Sequence, residues 1–201
     1  MHSARQKLLT TLAHKSFQLG EFKLSSGGTS DYYIDCRTTT LDAKGSRLTG
    51  EVFLEEIRNR GWKAQAIGFL VRKAEKQHGT GQRIEGFRQK GARVVIVDDV
   101  CTTGTSTIQA IEAAREFGFE VVGVMCLVER EEARGRPSVE KAAAPAPFVT
   151  IFTANDVRKE HVAQTDDTEP SLFAVAASCE VCGRPAVTNN PRNRCEAHKA
   201  S

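Results

Sequence analysis

Hydrophobic residues recur along this chain with two alternating periods, and the alternation predicts an α/β domain. Leu8, Leu9, Leu12 and Ala13 repeat at helical spacing within residues 5–19, and Gly20 is placed to stop that helix. Glu21–Leu24 alternates as a short strand, Ser25–Gly28 reads as a turn, and Asp31–Arg37 reads as a second strand. A further helix is predicted over 41–60, with Phe53, Leu54 and Ile57 on one side and Gly61 past its end. Ala64–Val71 is a mixed apolar stretch predicted as a strand. Val94–Val97 is a run of β-branched residues, and Glu120–Val128 is almost as apolar. Both read as strands covered on two faces, the mark of a mostly parallel sheet flanked by helices. Between them Ala110, Ile111, Ala114 and Phe117 share one face of a helix predicted to begin at Thr107 and stop at Gly118. Phe148–Thr153 is the last predicted strand, and Asn155-Asp156 is placed to cap a short helix.

The polar stretches divide the chain. Arg72–Gly86 carries basic residues and glycines with almost no apolar content and reads as an exposed loop. Residues 131–147, rich in Glu, Arg, Ala and Pro, read as a surface excursion. The pattern then sets out a domain over 1–157, a linker over 158–175 and a small tail over 176–201.

Composition narrows the class. With 40% hydrophobic and 26% charged residues the chain is an ordinary globular protein, and a net charge of +3 does not by itself argue for nucleic acid. No apolar run approaches membrane-spanning length, and the first residues lack the apolar core of a secretion signal. Cys36, Cys101 and Cys126 are scattered rather than framed as disulfides, so a reduced, cytoplasmic setting is expected.

The tail has its own chemistry. Cys179 and Cys182 form one close pair, Cys195 and His198 another, with twelve residues between the pairs. Two such pairs make the Cys₃His set of a structural Zn²⁺ site, and a segment with so little apolar content needs a metal to fold. Arg184, Arg192, Arg194 and Lys199 make this tail basic, which leaves a nucleic-acid or protein contact open but weakly supported.

The densest chemistry lies where the β-branched strand ends, at Asp98, Asp99, Val100, Cys101, Thr102, Thr103, Gly104, Thr105 and Ser106. A strand, a small polar turn and a helix leave free N–H groups at the helix N-terminus, where phosphate binds, and two carboxylates stand beside them. No Gly-Lys-Ser/Thr closes the turn, so it is not a P-loop. The stretch resembles the phosphoribosyl-pyrophosphate (PRPP) motif of type I phosphoribosyltransferases. The resemblance implies that Asp98 and Asp99 meet the ribose hydroxyls and that Thr102–Ser106 hold the 5′-phosphate.

Two further stretches resemble orotate phosphoribosyltransferase in particular. Arg72-Lys73-x-x-Lys76-x-His78-Gly-x-Gly is similar to its catalytic lid, which implies that these four side chains contact pyrophosphate, with Lys76, His78 and Asp99 as catalytic candidates. Gly20–Gly27 with Ser30–Arg37 resembles its hood hairpin, although Ser25 stands where many members carry a lysine. The resemblance implies that Tyr32 and Tyr33 lie near orotate, that Arg130 binds its carboxylate, that Thr102 also lies at the base, and that Mg²⁺ accompanies PRPP. It also implies a homodimer with shared active sites.

One family element is missing. Ala66-Ile67-Gly68 runs directly into Phe69-Leu70-Val71, where the family places a Gly-rich pyrophosphate loop, a helix and another strand. The absent unit is roughly 25–30 residues, the size of one βαβ connection. A parallel crossover cannot be made within Ala64–Val71, so the sheet is expected to lose a strand and a covering helix. The leading expectation is therefore an orotate phosphoribosyltransferase, impaired by the gap. The alternative is a non-catalytic PRPP or nucleotide-binding regulator that uses the zinc tail to contact nucleic acid or protein.

Overall fold

The computed structural model of the chain describes residues 3–23, 28–65, 68–71 and 83–166. Helix α1 (Ala4–Lys15) opens on Ser3, whose Oγ accepts the Gln6 N–H at 3.2 Å. It ends at Ser16 rather than at Gly20, because Phe17 leaves the helix to start strand β1 (Phe17–Lys23) with its side chain buried. Strand β1 pairs antiparallel with β2 (Thr29–Ile34), and the register shifts between Leu19 and Phe22, where Gly20 lies. The predicted hairpin is present, but β2 stops at Ile34 because α2 (Arg37–Thr40) takes up the residues that follow. Helix α3 (Ala43–Asn59) matches the helix predicted over 41–60 and is capped by Asp42, whose Oδ1 accepts the N–H groups of Lys44 and Gly45.

Strands β3 (Phe69–Val71) and β4 (Ile84–Gly86) form an antiparallel pair. The exposed loop predicted over 72–86 therefore ends in a strand, and β3 joins this pair instead of the parallel sheet. The parallel sheet is β5 (Arg93–Cys101), β6 (Glu120–Glu129) and β7 (Phe148–Thr153), in that spatial order. Helix α4 (Thr105–Phe117) joins β5 to β6 and stops at Gly118, whose φ of +100° suits a residue without a side chain. Between β6 and β7 lie a 3₁₀ turn (Glu131–Ala133) and helix α5 (Arg136–Ala143). The surface excursion predicted there is corrected: Val139 and Ala143 are fully buried. Helix α6 (Ala154–Asp166) follows β7 directly. Its cap is Thr153 rather than Asn155, since Thr153 Oγ1 accepts the Asp156 N–H and Asp156 Oδ2 accepts the Thr153 N–H. Residues 158–166, placed in a linker by their polarity, continue this helix.

Strand periodicity sorts the core into two layers. Val94, Ile96, Val124, Cys126 and Phe148 pack with Ile111 and Ala114 of α4 and Val139 and Ala143 of α5. Leu127 and Ile151 pack with Leu8 and Leu12 of α1, Leu48 and Val52 of α3, Val157 of α6 and the hairpin residues Phe17, Tyr32 and Ile34. Strand β6 is covered on both sides, and Val124–Val128 are inaccessible to solvent. Among the described residues no helix is long and apolar enough to cross a membrane.

Candidate active site

At the carboxyl edge of the parallel sheet, β5 runs on past its apolar run Val94–Val97 to Cys101, so both acids belong to the strand. Neighbouring strand residues point to opposite faces. Asp98 turns to the N-terminus of α4, where its Oδ2 accepts the hydroxyls of Thr107 at 2.6 Å and Ser106 at 3.1 Å. Its Oδ1 accepts the Asp99 N–H at 3.0 Å. Burial raises the Asp98 pKa above the ordinary carboxylate range, and the hydroxyl bonds hold that rise back. Asp99 uses one oxygen, Oδ1, to accept the Val100 N–H at 2.9 Å, and its other oxygen takes no bond among the described residues.

The turn Thr102–Gly104 leads into α4 through Gly104, at φ +80°. Val100, Thr102–Ser106 and Gln109 line a small open cavity of about 240 Å³ at this helix N-terminus. The turn rests on α5. A Cβ on Gly104 would stand 2.3 Å from Val139 Cγ2, and one on Gly135 would stand 2.2 Å from the Thr102 carbonyl oxygen. Cys101 belongs to the core beneath the turn. Its side chain is buried, and its N–H points to Cys126 Sγ at 3.0 Å.

Arg130 follows β6 and is tied to the same edge by its N–H, which donates to the Cys101 carbonyl at 2.9 Å. Its guanidinium, 9% exposed with the residue as a whole, sits 4.6 Å from the centre of the Tyr32 ring. Nε donates to Tyr32 Oη at 3.0 Å and to Glu132 Oε1 at 2.9 Å, and Nη2 donates to Ser30 Oγ at 3.2 Å. Tyr32 Oη donates in turn to Glu132. Burial, then the bond to Glu132, pushes the Tyr32 pKa up to about 12, so its hydroxyl stays protonated at neutral pH. Alternation along β2 separates the two tyrosines: Tyr32 stacks on Phe17 in the core, whereas Tyr33 is 43% exposed beside Phe22.

A larger cavity of about 410 Å³ opens beside Asp98, lined by Gly68–Val71, by Val94–Val97 of β5 and by Ser106, Thr107, Gln109 and Ala110 of α4. It lies along the outer edge of β5, where Gln65 bonds Arg93 and Val97 is 52% exposed. Phe69 and Phe87 pack on Phe119, and Arg83 reaches the Gln109 carbonyl, so the β3–β4 stem is seated against α4 and the link from α4 to β6.

Residues 54–144 match the phosphoribosyl transferase domain model. An orotate phosphoribosyltransferase of Aquifex aeolicus is 35% identical over 170 residues, covering 70% of this chain and 91% of the relative. The chain belongs to the orotate phosphoribosyltransferase family. Among solved structures, the orotate phosphoribosyltransferase of Mycobacterium tuberculosis superposes with a TM-score of 0.63 at 30% identity, over 77% of this chain and 99% of that one, in its complex with Fe(III) dicitrate. The same enzyme in complex with PRPP gives 0.61 at 26%, over 78% and 99%.

Within this orotate phosphoribosyltransferase fold, the acid pair, the Thr102–Ser106 turn and Arg130 share one sheet edge, and Tyr32 joins them through Arg130. Tyr33 does not. The lid residues Arg72, Lys73, Lys76 and His78 and the tail ligands Cys179, Cys182, Cys195 and His198 lie outside the described residues. Ser30, Glu132, Gly135 and Val139 were not anticipated. Their roles depend on contacts up to 100 residues away, although Glu132, two positions from Arg130, was within reach of a local reading.

Proposed function

We propose that the chain carries out the orotate phosphoribosyltransferase reaction, converting orotate and PRPP to orotidine 5′-phosphate and pyrophosphate in UMP biosynthesis. The observation that carries this reading is the meeting of an acid pair, an anion-receiving helix N-terminus and a held arginine on one sheet edge, in a chain of this family. The orotate ring nitrogen gives up its proton and attacks C1′ of the ribose as the bond from C1′ to pyrophosphate oxygen breaks; the electron pair leaves with pyrophosphate, which takes up a proton. Positive charge develops on the ribose and negative charge on the leaving group, so the protein contributes positioning and charge. The N–H groups at the start of α4 receive the 5′-phosphate. Asp99, whose second oxygen takes no bond among the described residues, meets a ribose hydroxyl, and Asp98 holds the turn through Ser106 and Thr107. Arg130 takes the orotate carboxylate, and Arg72, Lys73, Lys76 and His78 meet the pyrophosphate.

The donor set fits Mg²⁺ brought in with PRPP, since a cation that retains water and phosphate oxygens needs few protein ligands. Asp99 is the residue to hold it, and the ion would neutralise charge on the leaving group. Zn²⁺ at Cys179, Cys182, Cys195 and His198 and a homodimer complete the reading. The comparisons offer nothing for a non-catalytic regulator.

The family's pyrophosphate loop is absent from this reading. Seventy per cent of 201 residues is about 141, so the 170-residue alignment with the Aquifex relative leaves nearly 30 of its positions without a counterpart here. A gap of that size supports loss of one crossover, and the exposed edge of β5 is where its strand would pair. We therefore expect PRPP to bind while turnover is weak or absent, with recovery when a family-type crossover is inserted between Gly68 and Phe69. An assay with orotate, PRPP and Mg²⁺ decides. Turnover by the unmodified chain at an ordinary rate, on the order of 1–10³ s⁻¹, would show the missing unit to be dispensable.

A further inference from the structure

The last residue of β6 is an acid buried beneath the phosphate turn, and its partners all come from the far side of the sheet. Glu129 is 5% exposed and stands in register with Cys101 on β5 and Thr153 on β7. Its neighbour Arg130 reaches the hood hairpin, so alternation sends Glu129 the other way. There Oε1 accepts Arg136 Nε at 3.0 Å, while Oε2 accepts Arg136 Nη2 and the Thr150 hydroxyl, the latter at 2.6 Å. Arg136 also donates to Thr150 Oγ1 at 2.7 Å and lies 5.0 Å from the centre of the Phe148 ring. A two-pronged guanidinium–carboxylate pair is directional as well as strong.

Arg136 opens α5, and α5 is the floor of the turn. Gly135 lies backbone to backbone against Thr102–Gly104 with no room for a Cβ, and Val139 meets Gly104 one helical turn on. With eight residues, α5 is too short to hold itself in place. Both ends are fastened: Glu129 holds Arg136 at the start, and Arg115 of α4 donates to the carbonyls of Ala142, Ala143 and Ala144 at the end. We infer that Glu129 and Arg136 are positioning residues for the 5′-phosphate turn: the pair, with Glu129 buried and Arg136 partly exposed, sets the height of α5 and, through Gly135 and Val139, the direction of the N–H groups of Thr102–Ser106. Neither side chain touches the substrate.

The inference rests on reading the turn as the phosphate site, so the test has one arm that uses PRPP and one that does not. The variants are Glu129→Gln, Arg136→Ala and Arg136→Lys, with Thr150→Val as a milder change that leaves the charged pair and serves if Glu129→Gln fails to fold. Calorimetry with PRPP and Mg²⁺ should show affinity about tenfold or more weaker in Glu129→Gln and Arg136→Ala, the scale of a small misplacement of binding groups, with part of the loss recovered in Arg136→Lys. Amide hydrogen exchange without ligand should quicken at Thr102–Ser106 and stay unchanged in α1 and α3. PRPP affinity equal to wild type in folded variants, with unchanged exchange in the turn, overturns the inference. So does exchange that rises equally through the domain, which would mark a merely structural pair. A wild-type chain that does not bind PRPP overturns the reading of the turn instead, and the exchange arm still decides whether Glu129 governs it.

Discussion

Replacing Gly104 with alanine tests the seat of the phosphate turn, because two separate costs fall on one atom. The residue has φ +80°, where an L side chain costs about 1–2 kcal/mol. The added Cβ would also stand 2.3 Å from Val139 Cγ2, well inside van der Waals contact, and Val139 is fully buried with nowhere to retreat. Overpacking of this kind adds about 1–3 kcal/mol. Gly104→Ala should therefore destabilise the domain by about 2–5 kcal/mol. The two costs can be separated. Val139→Ala removes the clashing methyl, so in that background only the backbone part, about 1–2 kcal/mol, should remain. A double-mutant cycle from urea unfolding should then return a coupling of about 1–3 kcal/mol between positions 104 and 139. PRPP affinity should fall in Gly104→Ala and partly return in the double variant. An equal cost of Gly104→Ala in both backgrounds would refute the packing argument, and a cost below about 0.5 kcal/mol would refute both parts.

Three other outcomes are expected. Arg130→Ala should weaken orotate binding by about tenfold or more while PRPP affinity stays near wild type, since the lost bonds are charge-assisted; equal losses for both ligands in titrations would contradict the assigned role. Asp98 has a raised pKa, so the stability linked to its protonation is present below the ordinary carboxylate range and is lost as pH rises through the raised value. The unfolding midpoint of Asp98→Asn should accordingly gain on wild type between acid and neutral pH, and a difference that does not change with pH would exclude charge burial as the cause. Elemental analysis of the purified full chain should give about one zinc per molecule, lost on Cys182→Ser, and a metal-free chain with an ordered tail would remove the zinc assignment.

Legibility in the sequence followed the range of the interactions. The strand at Val94–Val97 was readable because burial on both faces demands a continuous apolar run, and α4 because its apolar stripe ends on Gly118. Helix α5 was hidden: only Val139 and Ala143 are buried along its length, and its other positions are a mixture of Arg, Pro, Ser, Glu, Lys and Ala, a balance that also describes a loop. The β3–β4 pair was hidden because three residues per strand leave too little alternation to count. At the site, local order announced the acid pair, the turn and Arg130. The sequence did not reveal that Asp98 turns back onto Ser106 and Thr107, or that Arg130 is already held by Ser30, Tyr32 and Glu132. Tyr32 and Tyr33 looked alike as neighbours in sequence, and the alternation of β2 gives them opposite surroundings.

The outer edge of β5 bears on how a binding-dead variant is chosen. Beyond Gln65, no described backbone pairs with that edge, and Val97 is half exposed on it. An apolar strand with an unpaired side is a template for another chain, and charges at such an edge act as gatekeepers against templated self-assembly. Asp98 and Asp99 are the acids of this edge strand, where Arg93 is the other charge, so the acids that serve the substrate also guard solubility. Changing both to alanine would extend the apolar run from Val94 to Cys101 and convert a binding control into an aggregation-prone protein. Loss of PRPP binding in that variant would then report assembly rather than chemistry, and light scattering of the double-alanine form should rise with time. Asparagine at both positions keeps polar groups on the edge and is the control that isolates the carboxylates.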